Sequence, residues 1–148
     1  MDTKVVYQPA GYQTVIPYLH VNGAAKLIAF MKEVFGAQEI AVYPRPDGTI
    51  GHAAVRIGDS VVELADCAQE WPAMPCALQV YLPDTDAAYQ RALKAGAAKL
   101  LEPATQFYGD RTASVRDFCG NNWYIATQVE VVSREEVDRR LAAMSQKS

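Results

Sequence analysis

Short stretches of the chain alternate apolar and polar residues with period two, and two longer stretches between them carry apolar residues at helical spacing. TVIPYLHV (residues 14–21) alternates like a strand, with Ile16, Tyr18 and His20 on one face and Val15, Leu19 and Val21 on the other. In NGAAKLIAFMKEVFGA, which follows, Leu27, Ile28, Met31, Val34 and Phe35 fall on one face of a predicted helix, and Gly36 supplies its C-terminal cap. GHAAVRI and SVVELA then flank Gly58-Asp59, the pattern of a hairpin with a two-residue turn. The order returns about 60 residues later. CALQVYLP alternates, DTDAAYQRALKAGA places Tyr89, Ala92 and Leu93 on one face before Gly96, and TASVR and NWYIAT flank a turn at residues 117–120. The predicted unit is strand, helix and several strands, and it occurs twice.

CAQEWPAMP separates the two copies, and its Trp71-Pro72 and Pro75 suit a connector better than a helix or strand. We expect a single domain over residues 1–148, with module one at about 12–66, the connector at 67–76 and module two at about 77–130. Ser133 opens S-R-E-E, a capping-box pattern, so a C-terminal helix is predicted from about 133 to 144, docked by Val137, Leu141 and Met144.

Composition narrows the function classes. Half of the 148 residues are hydrophobic and 21% are charged, which suits a soluble globular chain with a sizeable core. A net charge of -3 without a block of Lys or Arg disfavours nucleic acid and anionic membrane as partners. No apolar run approaches a membrane span and the start lacks an apolar leader, so a cytoplasmic location is expected. Cys67, Cys76 and Cys119 lack the spacing of a zinc or redox motif and read as reduced thiols.

Glu63 is the charge that needs an explanation, because SVVELA is otherwise apolar. A turn at Gly58-Asp59 pairs Ile57 with Ser60, Arg56 with Val61 and Ala54 with Glu63. Arg56 and Glu63 then become diagonal neighbours on one face, and an ion pair is expected. Direct ligand contact, proton chemistry and metal coordination remain alternative roles for Glu63.

The paired βαβββ pattern, with PYLHVNGAAKLIAFMKEVFGA, DGTIGHAAVRIGDSVVELAD and FYGDRTASVRDFCGNNWYIAT, resembles the vicinal oxygen chelate superfamily. That superfamily includes glyoxalase I, bleomycin-resistance proteins and extradiol dioxygenases, and the chain is most similar to its PhnB-like branch. The resemblance implies an α+β fold in which two βαβββ modules form an open, curled mixed β-sheet barrel around a central cleft. It also implies a homodimer and, in many members, a divalent metal. Placing the metal-ligand positions of such members on this chain gives Ile16, Glu63, Ala77 and Tyr124. Ile16 and Ala77 have no donor atom and a tyrosine ligates chiefly when ionised, so no cofactor is expected and a divalent metal is the alternative. His20, His52 and Glu63 are the residues from which an unorthodox metal site would be built.

Strand alternation within that fold lines the cleft with Tyr18, His20, His52, Arg56, Glu63, Gln79, Tyr81, Arg116 and Tyr124, with Thr112 and Ser114 on the same face. Three tyrosines and a few charges suit a small planar or aromatic ligand. Phe107 to Arg111, FYGDR, are expected to form a rim loop braced by an Asp110–Arg111 pair. Where the branch often reads DPFGH, this chain has Asp117-Phe118-Cys119-Gly120-Asn121, without the proline and histidine. The expected function is metal-independent binding of a small, planar or aromatic, antibiotic-like molecule, as in bleomycin-resistance relatives. The alternative is a glyoxalase-like lyase, isomerase or dioxygenase using an atypical metal site or a His/Glu acid-base pair.

Overall fold

The computed structural model describes residues 4–146. The chain divides into two compact units, one ending at Pro75 and one beginning at Cys76. The first contains β1 (Tyr18–Val21), α1 (Ala24–Phe35), β2 (Gln38–Pro44), β3 (Ile50–Ile57) and β4 (Ser60–Asp66). Its sheet runs β1-β4-β3-β2, with β1 parallel to β4 and the other neighbours antiparallel. The second contains β5 (Ala77–Tyr81), α2 (Thr85–Lys94), β6 (Ala98–Thr105), β7 (Asp110–Arg116), β8 (Asn122–Gln128) and α3 (Arg134–Ser145). Its sheet repeats the arrangement as β5-β8-β7-β6. Each unit is therefore a βαβββ module, and the chain is α+β with a C-terminal helix, as the periodicity predicts.

The hairpin register in the first unit is Ile57 to Ser60, Arg56 to Val61 and Ala54 to Glu63. This follows from a two-residue turn, which leaves no freedom in pairing. Alternation then sorts the sheet into two faces. Leu19, Val21, Ala53, Val55 and Leu64 are buried with Leu27, Ile28, Met31 and Val34 of α1, which packs on β3 and β4. Each of these side chains except the smaller Ala53 contributes roughly 1.5–3 kcal/mol of transfer free energy. Tyr18, His20, His52 and Glu63 are left on the opposite face.

α1 ends as predicted. Gly36 adopts φ 70°, its N–H donates to Lys32 O at 3.2 Å, and the Ala37 N–H returns to Met31 O at 3.1 Å. The start of α1 is unusual, because its N-cap is Gly23, which has no side chain to accept the first N–H groups. Asp66, at the end of β4, supplies the acceptor instead. Its Oδ1 takes Gly23 N–H at 3.0 Å and Ala24 N–H at 2.8 Å, and its Oδ2 takes Ile50 N–H at 2.7 Å. Burial alone would raise the Asp66 pKa, but these three donors and nearby Arg45 hold it below the ordinary carboxylate value.

Several expectations need correction. β1 begins only at Tyr18, since Pro17 has no N–H to donate, and Val15 is 81% exposed instead of packed. β2 and β6 are edge strands with register shifts that break the alternation, and β6 contains Pro103. α3 follows Ser133, whose side chain accepts Glu136 N–H at 3.2 Å, but it buries no residue, and Leu141 and Met144 are exposed. Polar contacts hold it in place of an apolar seam: Arg140 donates to Phe107 O at 3.0 Å and pairs with Glu130, and within the helix it also pairs with Glu136.

In FYGDR, Asp110 and Arg111 do not brace one another. They are neighbours on β7 and their side chains go to different partners. Buried Asp110 accepts the Tyr81 hydroxyl at 2.7 Å, while Arg111 forks onto Asp86 of α2 at 2.7 and 2.8 Å. The turn that departs from DPFGH is organised by Asp117. This buried carboxylate accepts Cys119 N–H, Asn121 N–H, the Asn121 amide and Trp123 Nε1–H. Asn121 then accepts Cys76 N–H at 3.0 Å, so the turn is tied to the start of the unit.

Candidate functional site

The open sheet face of the first unit gathers four of the nine residues predicted to line a site. Tyr18 and Glu63 are register partners across the parallel β1–β4 pair. The Tyr18 hydroxyl lies 3.1 Å from His52 Nδ1, and His52 Nε2 lies 3.8 Å from Glu63 Oε2, beyond hydrogen-bond reach. Burial, followed by the negative charge of Glu63, pushes the Tyr18 pKa up, while Arg45 opposes the shift. His20 sits beside Tyr18 with ring centroids 5.1 Å apart and stacks on Trp71 at 5.9 Å with an interplanar angle of 11°. On the other side of His52, Tyr43 stacks at 6.1 Å and 17°.

Arg56 does not join this group. Glu63 has two diagonal neighbours across β3, His52 and Arg56, and it faces His52. The Arg56 guanidinium turns to Gly11 O at 2.9 Å, a carbonyl far away in the sequence. The expected Arg56–Glu63 ion pair is therefore absent, because the diagonal offered two partners and Arg56 had an acceptor outside the hairpin.

A cavity of about 380 Å³ opens beside the aromatic cluster, lined by Tyr18, His20, Arg45, Gly51, Ala65 and Trp71. Arg45 is fixed by three contacts. Its backbone N–H meets Thr49 O at 2.6 Å, Nη1 donates to Thr49 Oγ1 at 3.1 Å and Nη2 donates to Asp66 O at 2.9 Å. Trp71 is 59% exposed and belongs to the connector, and the isolated bridge between His20 and Met74 holds that segment against β1.

The remaining predicted residues lie on the sheet of the second unit. Gln79 and Tyr124 are register partners across β5–β8, repeating the relation of Tyr18 to Glu63. Tyr81 is bound to Asp110, and that hydrogen bond is the main reason its pKa is raised. Arg116 donates to Asn122 at 2.9 Å across its own hairpin. Tyr124 is 42% exposed between buried Trp123 and Ile125.

Residues 13–125 match the Glyoxalase/Bleomycin resistance protein/Dioxygenase superfamily. The chain belongs to that superfamily. It is 35% identical over 143 residues to the uncharacterized protein Rv0887c of Mycobacterium tuberculosis, an alignment covering 87% of this chain and 81% of the relative. The fold resembles that of TioX from Micromonospora sp. ML1 (TM-score 0.66, 22% identity, 79% of this chain and 99% of the other). It also resembles a glyoxalase/bleomycin resistance protein/dioxygenase family enzyme from Burkholderia phytofirmans PsJN (TM-score 0.62, 20% identity, 76% and 95%).

Superfamily membership raises the question of a divalent metal, and the donor set answers poorly. Ile16 precedes β1 and carries no donor, Ala77 pairs with Asn122, and the residue beside Tyr124 is Gln79. Among the described residues, no three His, Cys, Asp or Glu side chains are gathered closely enough to hold a metal ion. His20 in particular is turned toward Trp71 and Tyr18. Of the four positions that the resemblance places, only Glu63 and Tyr124 carry a side-chain donor atom. Three site residues escape the sequence reading. Arg45 and Tyr43 lie on or next to an irregular edge strand, and Trp71 lies in the connector, where its pairing with Pro72 signals a loop and nothing about a wall.

Proposed function

We propose that this member of the superfamily binds a small planar or aromatic molecule without a metal, in the cavity of the first unit. The stacked His20–Trp71 pair forming one wall of that cavity carries the reading. The stack fixes the orientation of the exposed indole at the cavity, and Tyr18 adds a second aromatic surface beside it. A volume of about 380 Å³ suits a one- or two-ring ligand. The ligand would be held by stacking and by few polar contacts, as in resistance proteins that sequester a compound without transforming it.

The test is a thermal-shift screen of neutral and anionic bicyclic aromatics against chelator-treated protein. Several compounds should raise the melting temperature, and Trp71→Ala should diminish the response. A broad panel without any shift would remove the proposal.

A second reading, a metal-free lyase or isomerase, is favoured by His52 and Glu63, 3.8 Å apart on the open face, where the imidazole could take a proton from a carbonyl substrate with the carboxylate beside it. Hydrogen–deuterium exchange at a substrate C–H in D2O, lost in His52→Ala, would support it over simple binding. Placement in the PhnB-like branch rests on the FYGDRTASVRDFCG stretch, and the homodimer on superfamily habit. Sedimentation giving only a 16.2 kDa species at micromolar concentration would refute the dimer. No helix among the described residues is long and apolar enough to cross a membrane.

A further inference from the structure

Arg45 is the one cationic side chain lining the cavity, and its charge is not met by a contacting carboxylate. Among the described residues, Arg111, Arg134, Arg139 and Arg140 each hold an acidic partner, whereas no carboxylate lies within ion-pair distance of Arg45. Its two side-chain hydrogen bonds go to neutral acceptors, the Thr49 hydroxyl and the Asp66 carbonyl. Such contacts fix the orientation of the guanidinium and leave its remaining N–H donors available, while Asp66 and Asp47 feel its charge from beyond contact distance. The nearest acids are otherwise engaged. Asp66 uses its carboxylate on Gly23, Ala24 and Ile50, Asp47 uses its own on Thr49, and Glu63 faces His52.

Gly51 shows that the position of Arg45 depends on local shape. A Cβ on Gly51 would stand 3.1 Å from Arg45 Cγ and 3.6 Å from its Nε, so an added side chain there would push Arg45 aside by a few tenths of an ångström. The same cavity presents Tyr18 and the His20–Trp71 stack. Aromatic rings and an oriented guanidinium with no carboxylate in contact thus share one space.

We infer that the ligand of this cavity is a planar aromatic carboxylate, its ring lying against Trp71 and Tyr18 and its carboxylate taken by the Arg45 fork. This rests on the planar-ligand reading above and adds the charge. Arg suits the task because a planar guanidinium matches a carboxylate with two parallel hydrogen bonds, which an amide of the same shape cannot reproduce.

Isothermal titration with a matched pair, 2-naphthoate and 2-naphthamide, tests the inference on the full-length chain. Wild type should bind the acid about tenfold or more tightly than the amide. Arg45→Met should bring that ratio to within about twofold of one, and Arg45→Lys should leave an intermediate ratio, because a point charge remains without the fork. Gly51→Ala, which displaces Arg45 without removing it, should also lower the ratio and guards against Arg45→Met failing to fold. If both compounds bind equally to wild type with a dependence on Trp71, the charge inference is wrong and the planar reading stands. A preference for the acid that survives in Arg45→Met and Gly51→Ala also overturns it. If neither compound binds, both readings fall.

Discussion

Tyr18 stands beside Glu63 across the parallel β1–β4 pair, and its hydroxyl reaches His52 Nδ1 at 3.1 Å. The Glu63 carboxylate is flanked by a phenol and an imidazole. This makes Tyr18 the reporter of Glu63. Because the Tyr18 pKa is raised by burial and then by the Glu63 charge, Glu63→Gln should lower it toward the ordinary tyrosine value. Titration of the Tyr18 ring-carbon resonance by NMR reads this directly. By linkage, the raised value stabilises the fold below the ordinary tyrosine pKa, and that contribution fades as pH climbs through the folded pKa. A Tyr18 titration unmoved by Glu63→Gln would contradict the placement.

Asp66 is predicted to be the more important carboxylate for stability. Asp66→Ala leaves Gly23, Ala24 and Ile50 N–H groups without their acceptor and should cost about 2–4 kcal/mol in urea unfolding. The sign of the pH effect follows from its lowered pKa. The contribution is complete above the ordinary aspartate value and is lost as pH falls through the lower folded value. Asp66→Asn should therefore flatten this part of the acid limb of the stability curve.

Asp117 should be as sensitive, for a different reason. It is buried and accepts from two backbone N–H groups, the Asn121 amide and the Trp123 indole, so Asp117→Ala orphans several buried donors at once. A loss of about 3–5 kcal/mol is expected in urea unfolding. The same experiment on Arg116→Ala, whose contact with Asn122 is exposed, should show less than about 1 kcal/mol.

α3 is predicted to detach without global unfolding. Its attachment runs through Arg140, which donates to Phe107 O and pairs with Glu130, and the hydrogen bond to Glu130 holds the Glu130 pKa below the ordinary glutamate value. The lowered value means that this ion pair persists above the ordinary glutamate pKa and is lost as pH falls through the lower folded value. Added salt should weaken it as well. Hydrogen exchange across residues 134–145 should accelerate in Arg140→Ala while β3, β4, β7 and β8 stay protected.

The fold was more legible in the sequence than the site, and particular residues show why. Gly58-Asp59 sets the β3–β4 register because a two-residue turn admits one pairing, and the buried face of α1 follows from spacing alone. The partner of Glu63 did not follow. Register names two diagonal candidates, and the choice depended on the Gly11 carbonyl, which no local pattern ties to Arg56. The cap of α1 was hidden for the same reason, since Asp66 reaches it from another strand. Trp71 and Arg45 were missed because a connector and a bulged edge strand carry no period from which to read a direction. Local rules place elements, whereas side-chain partners are settled by whatever acceptors the tertiary fold brings near.

The central claim is that a planar ligand stacks in the cavity walled by Trp71, and that it does so without a metal. The two tryptophan indole N–H signals in a 1H–15N correlation spectrum test it most directly, because Trp71 is exposed at the cavity while Trp123 is buried and donates to Asp117 at 2.8 Å. On titrating 2-naphthoate into protein held in excess EDTA, the Trp71 signal should move saturably while the Trp123 signal stays in place. A Trp71 signal that stays still, or one that moves only after a divalent metal is supplied, would contradict the account.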